Sequence, residues 1–187
     1  MQTKTNLGRR IALITLIVAV LITSAYFVLA AAIDTVSLIS PLNNTWNNGT
    51  NDTIAFSFNY TGNNSYANCT LYINNTNYGT NTTTNNNTNT VLYANDTIPE
   101  GYFGWYVQCI NTTSGLNLNA TNYTIGIDRT KPSTTDNAPS GWTNASTSIS
   151  LTAVDTAGAA QYSGINKTYY CTDTTNACAP TTEYSTS

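Results

Sequence analysis

Residues 101–109 read GYFGWYVQC, and Trp105, Val107 and Cys109 occupy every second position in the later part of this run. A spacing of two places these three side chains on one face of a β-strand. The face is apolar, so it should pack on a core. The run predicts a strand inside a sheet.

Two runs upstream repeat this alternation, with Ile54, Phe56 and Phe58 on one face of residues 53–59, and Cys69, Leu71 and Ile73 on one face of residues 66–74. Asn, Gly, Pro and Thr clusters separate the runs, and no amphipathic helical pattern follows residue 32. The candidate strands are 35–40, 53–59, 66–74, 90–94, 102–111 and 119–128. Six strands in about 95 residues predict an all-β fold, a small β-sandwich.

Four segments together resemble a known family: FSFNY at 56–60, NCTLYIN at 68–74, GYFGWYVQC at 101–109 and YTIGIDRTKP at 123–132. They are similar to the immunoglobulin-like domains of archaeal and other prokaryotic cell-surface glycoproteins, over residues 33–128. The resemblance implies a seven-stranded sandwich that serves as a structural or adhesive module. One departure is Val107, which stands where antibody domains place a tyrosine two residues before the second cysteine.

A second module is expected beyond a Thr-, Ser- and Pro-rich linker at residues 129–139. Residues 140–187 resemble the opening of another Ig-like repeat, with Ile149, Leu151 and Ala153 in alternation and a further strand near Cys171. They hold too few strands to close a sandwich. The interpretations are a piece of a longer multidomain protein, which we favour, or a partial module completed by a partner.

Residues 74–90 form an Asn- and Thr-rich tract with almost no apolar side chains. Burial therefore offers little to offset the entropy of ordering this segment. The composition predicts a mobile loop.

Residues 1–32 contain an uncharged apolar run from 11 to 32, preceded by Lys4, Arg9 and Arg10. A helix of this length covers the ~30 Å hydrocarbon core of a bilayer, and the basic residues direct the remainder of the chain outward. Ala30 to Ala32 would suit cleavage of a signal peptide, whereas the length of the run suits a retained membrane anchor. Both alternatives stay open.

Charge is scarce, at 8% of residues against the ~25% of typical proteins. Three basic and nine acidic residues lie beyond position 32, and no basic patch exists among them. Nucleic-acid binding depends on clustered Lys and Arg, so this class of partner is excluded.

Sequons of the form Asn-x-Ser/Thr occur at about fifteen positions, roughly twice the chance expectation. In an exported chain they predict N-glycosylation, which would keep a charge-poor surface solvated. Asn68, beside Cys69, is expected to lie too close to the core for modification. The other candidate acceptors are Asn43, Asn48, Asn51, Asn59, Asn63, Asn74, Asn81, Asn86, Asn95, Asn111, Asn119, Asn122, Asn144 and Asn166.

The four cysteines are expected to pair within each module, as Cys69–Cys109 and Cys171–Cys178. Export permits disulfides, and zinc binding usually requires CxxC spacing or histidine, which this chain lacks. The Ig-like resemblance implies that the first bridge joins the third and sixth strands within one sheet. Antibody domains instead join their two sheets.

The catalytic motifs that depend on histidine are excluded, and no nucleotide-binding glycine loop follows a strand. The acids are scattered, so we predict no enzyme activity and no cofactor. Asp128, Asp136 and Asp155 lie near the boundary between the two predicted modules, where their oxygens could bind calcium. We favour the alternative that they are solvated acids in loops. Tyr60, Tyr72 and Tyr106 could form a sugar-binding platform. The alternative is that they have no binding role, because tyrosine is common on the surfaces of β-sheets.

These features predict an extracellular structural or adhesive cell-surface glycoprotein. One alternative is a filament subunit assembled by strand donation, and another is the non-catalytic region of a larger secreted hydrolase. Expected partners are the membrane, through residues 1–32 if these are retained, and other surface proteins or glycans.

Overall fold

The computed structural model describes residues 12, 14–18, 33–141, 143–156, 161–172 and 177–185. Residues 12 and 14–18 are helical, and the rest of the predicted leader lies outside the described residues. No helix within the described residues is long and apolar enough to cross a membrane. The remaining structure is mostly strand, which confirms an all-β fold.

The strands in chain order are β1 Ile33–Ser40, β2 Thr45–Asn47, β3 Phe56–Gly62, β4 Tyr66–Ile73, β5 Thr76–Asn85, β6 Thr90–Leu92, β7 Gly101–Asn111, β8 Asn117–Asn119, β9 Tyr123–Ile127, β10 Ser133–Asp136, β11 Leu151–Val154, β12 Tyr169–Tyr170 and β13 Thr182–Glu183. One sheet has the order β1-β3-β6. A larger sheet has the order β2-β9-β7-β4-β5, with β8 also paired to β7. All pairings in these two sheets are antiparallel except the parallel pair of β2 and β9.

The two sheets enclose a single apolar core, as expected for a sandwich. Phe56 and Phe58 of β3 and Trp105 and Val107 of β7 are all fully buried. The ring of Phe56 meets the edge of Trp105, with centroids 5.0 Å apart. The alternation seen in the sequence therefore identifies the core faces of both sheets.

The predicted loop at residues 74–90 is wrong, because most of it forms β5, a ten-residue strand. Asn74 and Asn75 make the two-residue turn from β4, each with a positive φ (49° and 62°). Two successive positive φ values characterise the type I′ hairpin turn, which asparagine tolerates. Thr84 of β5 is buried, so pairing with β4 and one inward side chain order a tract that has little apolar content.

The predicted linker 129–139 also differs from the structure. Arg129 belongs to the sandwich, since its side chain donates to the carbonyl oxygens of Gly49 (3.0 Å) and Ile98 (3.1 Å). Ser133–Asp136 is β10, which pairs with β11. The polar composition that indicated a linker therefore includes a strand of the second module.

The second module consists of two small sheets, β10 with β11 and β12 with β13. Among the described residues after 132, Asp155 alone is buried. The module therefore has no apolar core of its own within the described part of the chain.

Candidate functional site

Two disulfides join the cysteines in the predicted pairs. Cys69 on β4 lies directly opposite Cys109 on β7, with Cα atoms 4.1 Å apart, so this bridge lies within one sheet. Cys171 and Cys178 form the second bridge across seven positions. Disulfides persist in oxidising surroundings, so both bridges indicate an extracellular or secreted protein.

Most sequon asparagines lie at the surface of the molecule. The exposed ones are Asn43, Asn48, Asn63, Asn74, Asn95, Asn119, Asn122, Asn144 and Asn166. The half-buried ones are Asn51, Asn59, Asn68, Asn81 and Asn86. The exposed asparagines are spread over the sandwich and the second module, so glycans on them would cover much of the surface.

Asn111 is the exception, because its side chain is fully buried at the end of β7. Its Oδ1 accepts hydrogen bonds from Asn64 Nδ2 (2.6 Å), the Thr113 N–H (2.8 Å) and the Ser114 N–H (3.0 Å). Its Nδ2, the atom that would carry a sugar, is buried and has no hydrogen-bond partner among the described residues. A glycan at Asn111 does not fit the folded domain, and the side chain instead holds the turn after β7.

The three acids predicted near the hinge do not form a metal site. No group of three or more His, Cys, Asp or Glu side chains that could hold a metal exists in the described parts of the chain. Asp136 Oδ1 accepts the Ala138 N–H at 2.8 Å, a local turn contact. Asp155 is buried, and neither of its carboxylate oxygens has a hydrogen-bond partner among the residues that the structure describes.

Asp128 has a structural role at the junction of the sandwich with residues 161–163. Its Oδ2 accepts both the Ser163 hydroxyl (2.6 Å) and the Ser163 N–H (2.8 Å), and its Oδ1 accepts the Thr130 N–H (3.2 Å). Hydrogen bonds to the charged carboxylate favour ionisation, so those from Ser163 lower the pKa of Asp128 below its usual 3.8.

The three candidate tyrosines do not share one surface. Tyr60 is fully buried in the core, where burial raises the pKa of its phenol. Tyr72 and Tyr106 are opposite each other on the outer face of the large sheet, and their rings stack with centroids 5.1 Å apart. Of the three predicted residues, Tyr72 and Tyr106 therefore lie together on the sheet surface, and Tyr60 does not.

A second aromatic pair on the same face was missed by the sequence analysis. Trp46 of β2 packs against Tyr102 of β7, with centroids 5.6 Å apart. Gly126 of β9 lies between them in register, and any side chain there would collide with the Trp46 ring. The glycine within YTIGI, Gly126, was the available signal, since a strand glycine often marks close approach by another group.

Comparisons with protein-family models, with curated proteins and with solved structures found no match to this chain.

Proposed function

We propose that this chain is a non-enzymatic, structural or adhesive module of an extracellular surface glycoprotein. The observation that carries the proposal is the spread of exposed sequon asparagines over a disulfide-bridged sandwich. Export would give these asparagines access to glycosylation, and glycans would supply the hydration that a sequence with 8% charged residues lacks.

We assign the sandwich to the immunoglobulin-like class of surface domains on its strand order. In that class one sheet contains strands A, B and E, and the other contains G, F, C and, in variable-type domains, C′. The orders β1-β3-β6 and β9-β7-β4-β5 correspond to these two sets. The bridge between β4 and β7 then joins C to F, whereas antibody domains join B to F.

The placement of the polar side chains supports a role without catalysis. The described acids with assigned contacts hold turns or join segments, as Asp128 does with Ser163. The outer face of the large sheet carries stacked aromatic rings, which suit contact with other surface molecules. Residues 1–32 would tether the module to the membrane if they are retained.

A filament assembled by strand addition is the second candidate, because β5 is an edge strand of ten residues. It contains neither a charged side chain nor proline, two of the usual features that block pairing of edges. SDS-resistant, concentration-dependent assembly would favour this alternative over a stalk-like module.

The proposal is tested by expressing the full chain in a prokaryotic host that N-glycosylates exported proteins. We expect an intact mass above that of the bare polypeptide, which chemical deglycosylation reduces to the polypeptide value. Mild proteolysis of intact cells should release peptides from residues 33–187. A bare polypeptide mass together with protection from external protease would refute the proposal.

A further inference from the structure

A hollow of about 460 Å³ lies where the large sheet meets residues 161 and 162. Trp46 and Tyr102 line one side, and Gln161 and Tyr162 line the other. Its volume is within the ~300–1,000 Å³ range of small-molecule sites.

The sheet side of the hollow is held in place before any ligand arrives. Trp46 rests on Gly126, where no side chain separates the ring from the backbone. The Tyr102 hydroxyl donates to Asn44 Oδ1 (2.8 Å) and lies 3.0 Å from Thr124 Oγ1, which fixes the direction of its ring. A rigid pair of aromatic rings loses little entropy on binding.

The opposite side lies next to an anchored residue, Ser163, which contacts Asp128. Two hydrogen bonds to one buried carboxylate hold Ser163 against the sandwich, and Tyr162 is its neighbour in the chain. Trp46 also lines an adjoining hollow with Asn48, Asp128 and Ser163. Ser163 is therefore anchored to the sandwich, and Gln161 and Tyr162 directly precede this anchor in the chain.

The chemistry of the lining favours one class of ligand. Three aromatic rings and one amide surround the hollow, and none of these four side chains is charged. Aromatic faces accept the C–H groups of a sugar ring, while Gln161 and the Tyr162 hydroxyl can hydrogen-bond to its hydroxyl groups. Anions and cations would find no opposite charge among these side chains.

We propose that this open hollow binds a neutral pyranose sugar, stacked on Trp46 and flanked by Tyr162. The inference rests on the proposed function, since it gives the adhesive module a glycan ligand. The sugar could belong to another molecule or to the chain's own glycan. The sequon Asn48 lies two residues from Trp46 and lines the adjoining hollow, so its glycan is the internal candidate.

The test uses the full chain, titrated by calorimetry with cellotetraose, chitotetraose, mannotetraose and the chain's own released glycans. We expect at least one of them to bind. Trp46→Ala and Tyr162→Ala should each weaken that binding at least about tenfold, and Trp46→Phe should retain part of it. Tyr106→Ala is the matched control, because it removes an aromatic ring from the same sheet face outside the hollow. Thermal melts establish that each variant is folded.

The source of the sugar is decided by comparing the glycosylated chain with its Asn48→Gln variant. If the chain's own glycan fills the hollow, acrylamide should quench Trp46 fluorescence only in the variant, and added sugars should bind only there. If the ligand is external, both proteins should bind the added sugars equally. Either result supports the site.

The site is refuted if neither the glycosylated chain nor its Asn48→Gln variant binds any of these sugars and quenching of Trp46 is equal in both. It is also refuted if Trp46→Ala and Tyr162→Ala, made in whichever of these two proteins binds the added sugars, bind them as tightly as that protein does. In those cases a glycosylated, surface-exposed chain would leave the proposed function standing. Sugar binding by a chain that carries no glycan would instead remove the glycoprotein proposal and keep the site.

Discussion

Within the described part of the chain, Trp105 is the largest fully buried side chain, and its indole nitrogen has no hydrogen-bond partner there. Replacement by alanine should lower the free energy of unfolding by about 3–5 kcal/mol, because it leaves a large cavity. Trp105→Phe should cost distinctly less, since the ring against Phe56 is kept and an unsatisfied N–H is removed. Urea denaturation measures both values, and equal losses would contradict this account.

Asn111 should remain unmodified in the folded protein while exposed acceptors carry sugar. Its Nδ2 is enclosed at the end of β7, whereas Asn144 is exposed in the second module. Glycopeptide mapping of the exported chain should find occupancy at Asn144 and none at Asn111. A sugar on Asn111 in protein that still melts cooperatively would show that the Asn111 side chain is not enclosed in the folded domain.

The alternation rule that identified Trp105, Val107 and Cys109 also reaches Asn111, two positions further on. Its polarity and its sequon concealed the inward direction of the side chain. Tyr60 is the same case, since it continues the series Ile54, Phe56 and Phe58. The alternation placed both side chains in the core, but their polar groups led us to expect them at the surface.

At the scale of elements, the β4–β5 hairpin depends on a turn with two positive φ values. Asn75→Gly should raise the free energy of unfolding by up to about 1 kcal/mol, because glycine adopts this conformation without strain. Asn75→Val should lower it by about 1–2 kcal/mol, since a β-branched residue is strained there. Both variants keep the Asn74 sequon. If chemical denaturation shows that the valine variant is more stable than the glycine variant, the turn is not type I′.

The bridge between β4 and β7 should dominate the covalent stabilisation of the sandwich. It closes a loop of 40 residues, for which chain entropy gives about 4 kcal/mol. The double variant Cys69→Ala, Cys109→Ala should lose about that much in guanidinium denaturation. The matched control, Cys171→Ala with Cys178→Ala, should leave unfolding of the sandwich unchanged. If the control lost as much unfolding free energy as the first variant, the second bridge would also stabilise the sandwich, and the two modules would not unfold independently.

Strand β5 could not be predicted from apolar periodicity, because its sequence TNYGTNTTTN has almost none. Its order comes from pairing with β4, which is a long-range property of the fold. The dipeptide Asn74-Asn75 between Ile73 and Thr76 was the local evidence for a hairpin. Strand β10 was missed for a similar reason, since its partner β11 lies 15 residues beyond its end, in alternating sequence.

At the scale of the molecule, the contact between the sandwich and residues 161–163 should depend on pH. The pKa of Asp128 is lowered in the folded protein, so its stabilising effect is present above the usual value of 3.8 and is lost as the pH falls below it. The Ser163 amide should lose hydrogen-exchange protection as the pH falls below 3.8. Asp128→Asn should remove this pH dependence, and an unchanged profile would show that another group holds Ser163.

The second module should not fold stably alone. Its described strands are short and largely exposed, and two-stranded sheets are marginal in water. In the full chain, amides of β10 to β13 should exchange far faster than those of β4 and β7. Residues 133–187 expressed separately should show no cooperative melt. A sharp two-state transition of that segment as a monomer would overturn the partial-module interpretation.

The position of the first disulfide also determines how far the sandwich can be stretched. A pull on both ends of the domain would unravel the strands outside the bridge, while the 40 positions between Cys69 and Cys109 stay closed off from the load. An extended chain spans at most ~3.3–3.6 Å per residue, so the closed bridge prevents about 140 Å of chain from extending under load. A tether built from such domains would be short and stiff while its bridges are closed, and a reducing environment would turn the same tether into a longer and more compliant one.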